Sequence, residues 1–186
     1  MKFIKRIKVV FDESFPVILI SGTPGTGKST IIKKAKDQNA SVQVLNISEF
    51  VKQEGLHDGY DEEFDTFIIN DRKTQKKLIK RIPEMRRKGP VLIECHSCGL
   101  FDEDEMEVLV DKVMVLTCST ESLYDRLKLR NYSKKKIEEN MECEIMRVCI
   151  DEAREVFRGN DVVKEFVNDT ENDQIVIIKE LQKLLK

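Results

Sequence analysis

The densest chemistry in the chain lies at residues 22–30, Gly-Thr-Pro-Gly-Thr-Gly-Lys-Ser-Thr, directly after the apolar run Val17-Ile18-Leu19-Ile20. A glycine, four residues, then glycine-lysine-serine between a buried strand and a helix is the phosphate-binding loop pattern. Glycines let the backbone curl so that several N–H groups point at a polyphosphate, and the helix start adds partial positive charge. Lys28 supplies an ammonium for the β- and γ-phosphates, and the Ser29 hydroxyl is placed to ligate Mg²⁺. The segment therefore predicts a nucleoside triphosphate site.

A second group of residues bears on what is done with the triphosphate. Val91-Leu92-Ile93 ends in Glu94, followed by Cys95 and His96, which puts a carboxylate at the end of a buried strand. Arg126 and Arg130 stand four apart on one helical face, where two guanidiniums would neutralise the equatorial oxygens of a phosphoryl group in transfer. The competing reading of that pair is a solvated helix face. The Asn-Lys-x-Asp base-reading motif of GTPases is absent. Cys95-His96-Ser97-Cys98 offers part of a zinc set, but no second pair follows at finger-like spacing, so core or cleft thiols are the preferred reading.

These residues need a scaffold, and hydrophobic periodicity supplies one. Apolar runs at 17–20, 42–45, 91–94, 113–116 and 162–167 read as strands. Helices are expected at about 28–37, from a Ser48 N-cap to Glu54, at 71–82 up to an interrupting Pro83, at 121–130, over one long stretch 134–157, and at 175–185. Residues 58–65 read as an acidic, aromatic loop. Strands alternating with helices predict an α/β fold with a parallel sheet, in which ligands sit outside the carboxyl ends of the strands.

With 186 residues the chain fits one domain, and 40% hydrophobic with 35% charged residues is the composition of a soluble globular protein. A formal net charge of −2 gives no global case for nucleic-acid binding, so any such contact needs a local patch. The basic segment 72–88 is the candidate, against the plainer reading of a solvated face. Five cysteines without a secretory signal suggest free thiols in a reducing compartment, and no run approaches the length of a membrane span.

Four blocks carry a resemblance to a known family: residues 22–30; Asp58-Gly59-Tyr60-Asp61-Glu62-Glu63-Phe64-Asp65; Glu94-Cys95-His96-Ser97-Cys98; and Leu123-Tyr124-Asp125-Arg126-Leu127 through Arg130-Asn131-Tyr132 to Glu138–Ile145. Together they cover most of residues 17–157, and the chain resembles the adenylate kinase isoenzyme 6 family. The resemblance implies a P-loop NTPase fold: a five-stranded parallel sheet flanked by helices, adenylate-kinase-like with a short lid. It implies a single kinase domain over 1–186, with an N-terminal lead at 1–15, a monophosphate-binding segment at 46–69 and a lid at 129–139.

It assigns Gly25, Thr26, Gly27, Lys28, Ser29, Thr30 and Arg130 to ATP, and Lys28, Arg126, Arg130, Glu94 and His96 to catalysis. Mg²⁺ would be held by Ser29 and, through water, by Glu94, which stands where the family usually has aspartate. Asn131 replaces a usual glycine, and residues 102–107 look like a small acidic insertion. The implied activity is phosphoryl transfer from ATP to AMP or another nucleoside monophosphate, with associated ATPase activity and a role in 18S rRNA processing. The alternative is an ATPase assembly factor gating a ribosomal-protein partner. A small-subunit ribosomal protein and pre-ribosomes are the implied partners, no membrane is involved, the protein is expected to be a monomer, and the implied location is nucleus and cytoplasm.

Overall fold

The computed structural model describes residues 15–102, 104–158 and 161–186. At its centre is strand β1 (Val17–Ser21), every residue of which is buried. It is preceded in the chain by the lead at 1–15, of which only Phe15 is described; its N–H donates to the Arg86 carbonyl at 3.2 Å. Strands β2 (Gln43–Asn46), β5 (Val91–Glu94), β6 (Lys112–Thr117) and β7 (Val163–Val167) complete a sheet ordered β2-β5-β1-β6-β7, with every pairing parallel. The expected five-stranded parallel sheet is thus present.

The alternation along β1 explains why its run is wholly apolar. Val17 and Leu19 face one core with Leu78, Ile82, Ile150 and Ala153, while Ile18 and Ile20 face another with Ile31, Ala35, Ile177 and Leu181. A strand covered on both faces has no solvent side to make polar. Each of these fully buried side chains contributes about 1.5–3 kcal/mol relative to exposure.

Around the sheet lie α1 (Lys28–Gln38), α2 (Ile47–Glu54), α3 (Asp71–Arg86), α4 (Asp104–Glu107), α5 (Thr120–Leu129), α6 (Lys134–Ile145), α7 (Val148–Val156) and α8 (Glu171–Leu184), with a 3₁₀ turn at Gly99–Phe101. Several boundaries differ from the sequence-based expectations, each for a local reason. Helix α2 starts two residues earlier because Asn46, not Ser48, is its N-cap, with the side-chain oxygen accepting from Glu49 N–H at 3.0 Å. Residues 58–65 are mostly a hairpin, β3 (His57–Asp61) paired antiparallel with β4 (Thr66–Ile69), where Tyr60 meets Phe67 edge-on at 5.1 Å.

Pro83 does not end α3: Leu78, Ile82 and Met85 on either side of it are buried, and that packing outweighs the missing N–H bond. The single helix expected at 134–157 is two, broken where Arg147 takes a left-handed φ of 59°. The apolar row misled because Ile145 is 61% exposed and core contact resumes only at Cys149, Ile150 and Ala153. Within the acidic stretch, Met106 is fully buried. No helix among the described residues is long and apolar enough to cross a membrane.

One charged contact stitches the entry of β1 to α3. Asp111 accepts from Val17 N–H at 2.7 Å and from the buried Arg86 guanidinium at 3.0 Å. Replacing Asp111 by Ala leaves both donors without that acceptor, and should cost about 1–3 kcal/mol. Urea unfolding should show a lower midpoint at unchanged slope; an unaltered midpoint would remove Asp111 from the account of stability.

Candidate active site

The loop between β1 and α1 is built from the backbone outward. Gly25 and Gly27 sit at φ of 100° and 98°, a region that side chains disfavour. A side chain there would also crowd its neighbours: a Cβ on Gly25 would lie 2.8 Å from a Leu123 methyl, and one on Gly27 2.3 Å from the Asn168 amide nitrogen. Inside the turn Thr26 Oγ1 donates to the Thr23 carbonyl at 2.9 Å. The Lys28 ammonium donates to the carbonyls of Gly22 at 2.5 Å and Thr23 at 3.1 Å. Burial pushes the Lys28 pKa down, an effect that the nearby Glu94 carboxylate opposes.

Glu94 ends β5 directly opposite Asn46 at the end of β2. Its carboxylate accepts from the Ser29 hydroxyl at 2.6 Å with one oxygen and from the Asn46 amide at 2.9 Å with the other. A hydroxyl and a carboxylate converging in this way are hard oxygen donors that fit Mg²⁺. His96 follows; its carbonyl accepts from Ser21 Oγ at 2.8 Å, and its Nδ1 lies 3.3 Å from the Gly22 carbonyl. Donation to that carbonyl needs the proton on Nδ1, the tautomer in which Nε2 accepts. Desolvation of the ring and the Lys28 charge hold the His96 pKa below that of ordinary imidazole.

These groups line one cleft of about 280 Å³, with Gly25, Gly27, Lys28 and Ser29 on one wall and Asn46, Ser48, Glu94, Cys95 and His96 on the other. Arg130 and Tyr132 close it from the lid side. Of the expected site residues, the structure therefore brings together Gly25, Gly27, Lys28, Ser29, Glu94, His96 and Arg130. It does not bring in the buried Thr26, the exposed Thr30 or Arg126. That guanidinium donates to the carbonyls of Asn168 at 2.8 Å, Asp169 at 3.1 Å and Gly25 at 3.4 Å, so it braces the loop rather than facing the cleft.

The lid is short. Between α5 and α6 only Arg130, Asn131, Tyr132 and Ser133 intervene, and Asn131 adopts the left-handed φ of 55° that asparagine tolerates. The start of α6 then reaches the hairpin tip, where Lys135 pairs with Glu63 and Lys136 lies 3.9 Å from Asp65. Lys135 also stands over the Phe64 ring at 5.1 Å. The acidic block 58–65 and the lid lysines thus form one cover.

Sequence reading missed several supports. Asn168, buried after β7, donates its amide to the Thr26 carbonyl at 2.6 Å. Glu144 accepts from Thr23 Oγ1 at 2.5 Å and from Cys118 N–H at 2.9 Å, and Glu152 accepts from Ser97 Oγ at 2.8 Å and Cys98 N–H at 2.7 Å. Asn46 and Asn168 had a usable signal: each is a polar residue ending a strand at the carboxyl edge of a parallel sheet. Glu144 and Glu152 had none, being two among many charges on helices. Burial pushes the Cys95 and Cys98 thiols up to about 12, which keeps them protonated, and the Cys95 thiol donates to the Ser97 carbonyl.

A family model described as "AAA domain" matches residues 18–147. The chain is 38% identical over 153 residues to the adenylate kinase isoenzyme 6 homolog of Schizosaccharomyces pombe, covering 82% of each chain. It is 36% identical over 170 residues to the homolog so named from Dictyostelium discoideum, covering 90% of this chain and 92% of that one. Among solved structures, shikimate kinase from Bacteroides thetaiotaomicron superposes with a TM-score of 0.60 at 17% identity, covering 92% of this chain and 99% of that one, which shows a shared fold.

Because Asn168 holds the phosphate-binding loop from behind, Asn168→Ala should lower stability by about 1–3 kcal/mol and weaken binding of a non-hydrolysable ATP analogue. Calorimetric titration beside thermal melting checks this. Unchanged affinity with an unchanged melting temperature would show that the loop needs no such support.

Proposed function

We propose that this chain, which belongs to the adenylate kinase isoenzyme 6 family, transfers the γ-phosphoryl group of MgATP to a nucleoside monophosphate, AMP first among them. ATP hydrolysis accompanies the transfer when water takes the acceptor's place. The observation that carries this reading is the position of Glu94, one oxygen on Ser29 of the triphosphate loop and the other on Asn46, which opens the segment 46–69. A carboxylate shared between a donor loop and a second wall suits a reaction that needs two substrates side by side.

In this reading Gly25, Thr26, Gly27 and Thr30 cradle the polyphosphate, and Lys28 exchanges its loop carbonyls for the β- and γ-phosphate oxygens. Ser29 and Glu94 would hold Mg²⁺, Glu94 through water. Mg²⁺ supplies charge neutralisation on the β- and γ-oxygens when bound with ATP. An acceptor phosphate oxygen attacks the γ-phosphorus as the bond to the β–γ bridging oxygen breaks, so that ADP leaves. Arg130, on the lid side of the cleft, meets the charge that spreads over the moving group. His96 Nε2 accepts a hydrogen bond from a water and orients it in the cleft. Arg126 belongs to the scaffold in this arrangement, steadying Gly25 and the turn at 168–169. Little covalent chemistry is asked of the protein, and positioning does most of the catalysis.

The same family membership underlies a proposed role in 18S rRNA processing, with a small-subunit ribosomal protein as partner and sites of action in nucleus and cytoplasm. The exposed basic face of α3, with Arg72, Lys76 and Lys80, is the surface we assign to it.

With ATP and AMP together, the protein should form two ADP for each ATP consumed; one ADP with free phosphate, whether or not AMP is present, would overturn the kinase in favour of an ATPase. Lys28→Ala should abolish both reactions. Arg130→Ala should lower kcat by about 10²–10³-fold through loss of transition-state charge stabilisation, and Arg126→Ala should act mainly on stability. Equal kinetic losses in the two arginine variants would contradict the division of roles. Glu94→Asp, with its shorter reach, should raise the Mg²⁺ concentration needed for half-maximal rate.

A further inference from the structure

His96, Cys143 and Cys149 come from three separate elements: the turn after β5, helix α6 and helix α7. A ring nitrogen of His96 and the two Sγ atoms all lie within 4.8 Å of one another. The two sulfurs are 3.9 Å apart, and Cys149 Sγ is 3.8 Å from His96 Nδ1. A tetrahedral Zn²⁺ with bonds of about 2.3 Å to sulfur and 2.0–2.1 Å to nitrogen sets neighbouring ligands about 3.6–3.8 Å apart. Two of the three edges thus stand close to the lengths such an ion imposes, and the Cys143–His96 edge is within 4.8 Å. The spacing Cys95-His96-Ser97-Cys98 suggested a different set, but its own thiols point into the core and His96 turns to the helices instead.

We infer that His96, Cys143 and Cys149 form a binding site for a thiophilic tetrahedral cation of the zinc class, against the underside of the phosphate-binding loop. Two thiolates and an imidazole select such an ion over Mg²⁺, which demands oxygen ligands in an octahedron. The fourth corner takes an oxygen ligand, water or the Glu144 carboxylate. Thr23 Oγ1 stands beside the two sulfurs, 3.9 Å from Cys143 Sγ and 3.8 Å from Cys149 Sγ, and is held by Glu144. Cys149 is buried, Cys143 half-buried and His96 exposed, so the site has a way in from solvent. The ion displaces the two thiol protons, and ligation at Nδ1 replaces the contact with the Gly22 carbonyl. His96 Nε2 then carries the ring proton and donates into the cleft rather than accepting. The inference stands on this geometry and is independent of the proposed kinase activity.

The test uses the reduced, metal-free full chain, titrated with Co²⁺ and then Zn²⁺. One equivalent of Co²⁺ should give the visible ligand-field bands of tetrahedral thiolate coordination, and Zn²⁺ should abolish them. Zn²⁺ should also raise the melting temperature, as any ligand of the native state does, while Mg²⁺ gives no such bands. Cys143→Ser and Cys149→Ser should each lose the Co²⁺ bands, His96→Ala should weaken binding at least tenfold, and Cys98→Ala should bind as the unaltered chain does. X-ray absorption of the Zn²⁺-loaded unaltered protein needs no variant, and should find two sulfurs at about 2.3 Å with a light atom at about 2.0–2.1 Å. Absence of Co²⁺ bands, their survival in both cysteine variants, or an all-oxygen shell would each overturn the site. So would a Cys143–Cys149 disulfide in the isolated protein that takes up no metal after reduction.

Discussion

The structure depends on keeping one ammonium out of water. Lys28 is buried at the start of α1, where the carbonyls of Gly22 and Thr23 and the field of Glu94 compensate for its lost hydration. A buried charge is tolerated only when it is well hydrogen-bonded. That requirement shapes the loop, because both carbonyls must turn inward to the ammonium. The surrounding scaffold follows from it. Thr26 closes the turn, Asn168 holds it from behind, Leu123 and Leu127 of α5 press against Gly25, and Glu144 anchors Thr23. These groups come from the turn after β7, from α5 and from α6, so the loop is the point where distant parts of the chain meet.

A second level of organisation comes from Glu94. Register places it beside Asn46, and the two residues end adjacent strands at the same edge of the sheet. Asn46 is at once the N-cap of α2 and a donor to Glu94, its oxygen serving the helix and its nitrogen the carboxylate. One amide thus ties the orientation of α2, and the hairpin beyond it, to the loop that holds the triphosphate. The longer reach of glutamate over aspartate is used here: the carboxylate spans Ser29 and Asn46 together.

Most of the fold was legible in the sequence because its strands are buried on both faces and therefore continuous apolar runs, and because the loop pattern is specific. What escaped reading did so for identifiable reasons. The hairpin at 57–69 carries Asp, Glu and Gly where strand composition would be sought, and aromatic pairing across it compensates. The break before α7 hides behind an apolar Ile145 that faces solvent. Arg126 and Arg130 share spacing and chemistry, yet the carbonyls that capture one of them belong to residues some forty positions away. The meeting of His96 with Cys143 and Cys149 is likewise a product of the bend at Arg147, which periodicity alone smoothed over.

The cover formed by the hairpin tip and the start of α6 has a different physical character from the floor beneath it. Lys135 with Glu63 and Lys136 with Asp65 are ion pairs at the surface, each worth under about 1 kcal/mol in water and open to screening. The bonds around Lys28, Thr23 and Asn168 are sequestered from mobile ions. The two walls of the cleft therefore answer to different surroundings: the ionic atmosphere of the compartment acts on how long the cover stays shut, and leaves the phosphate cradle untouched.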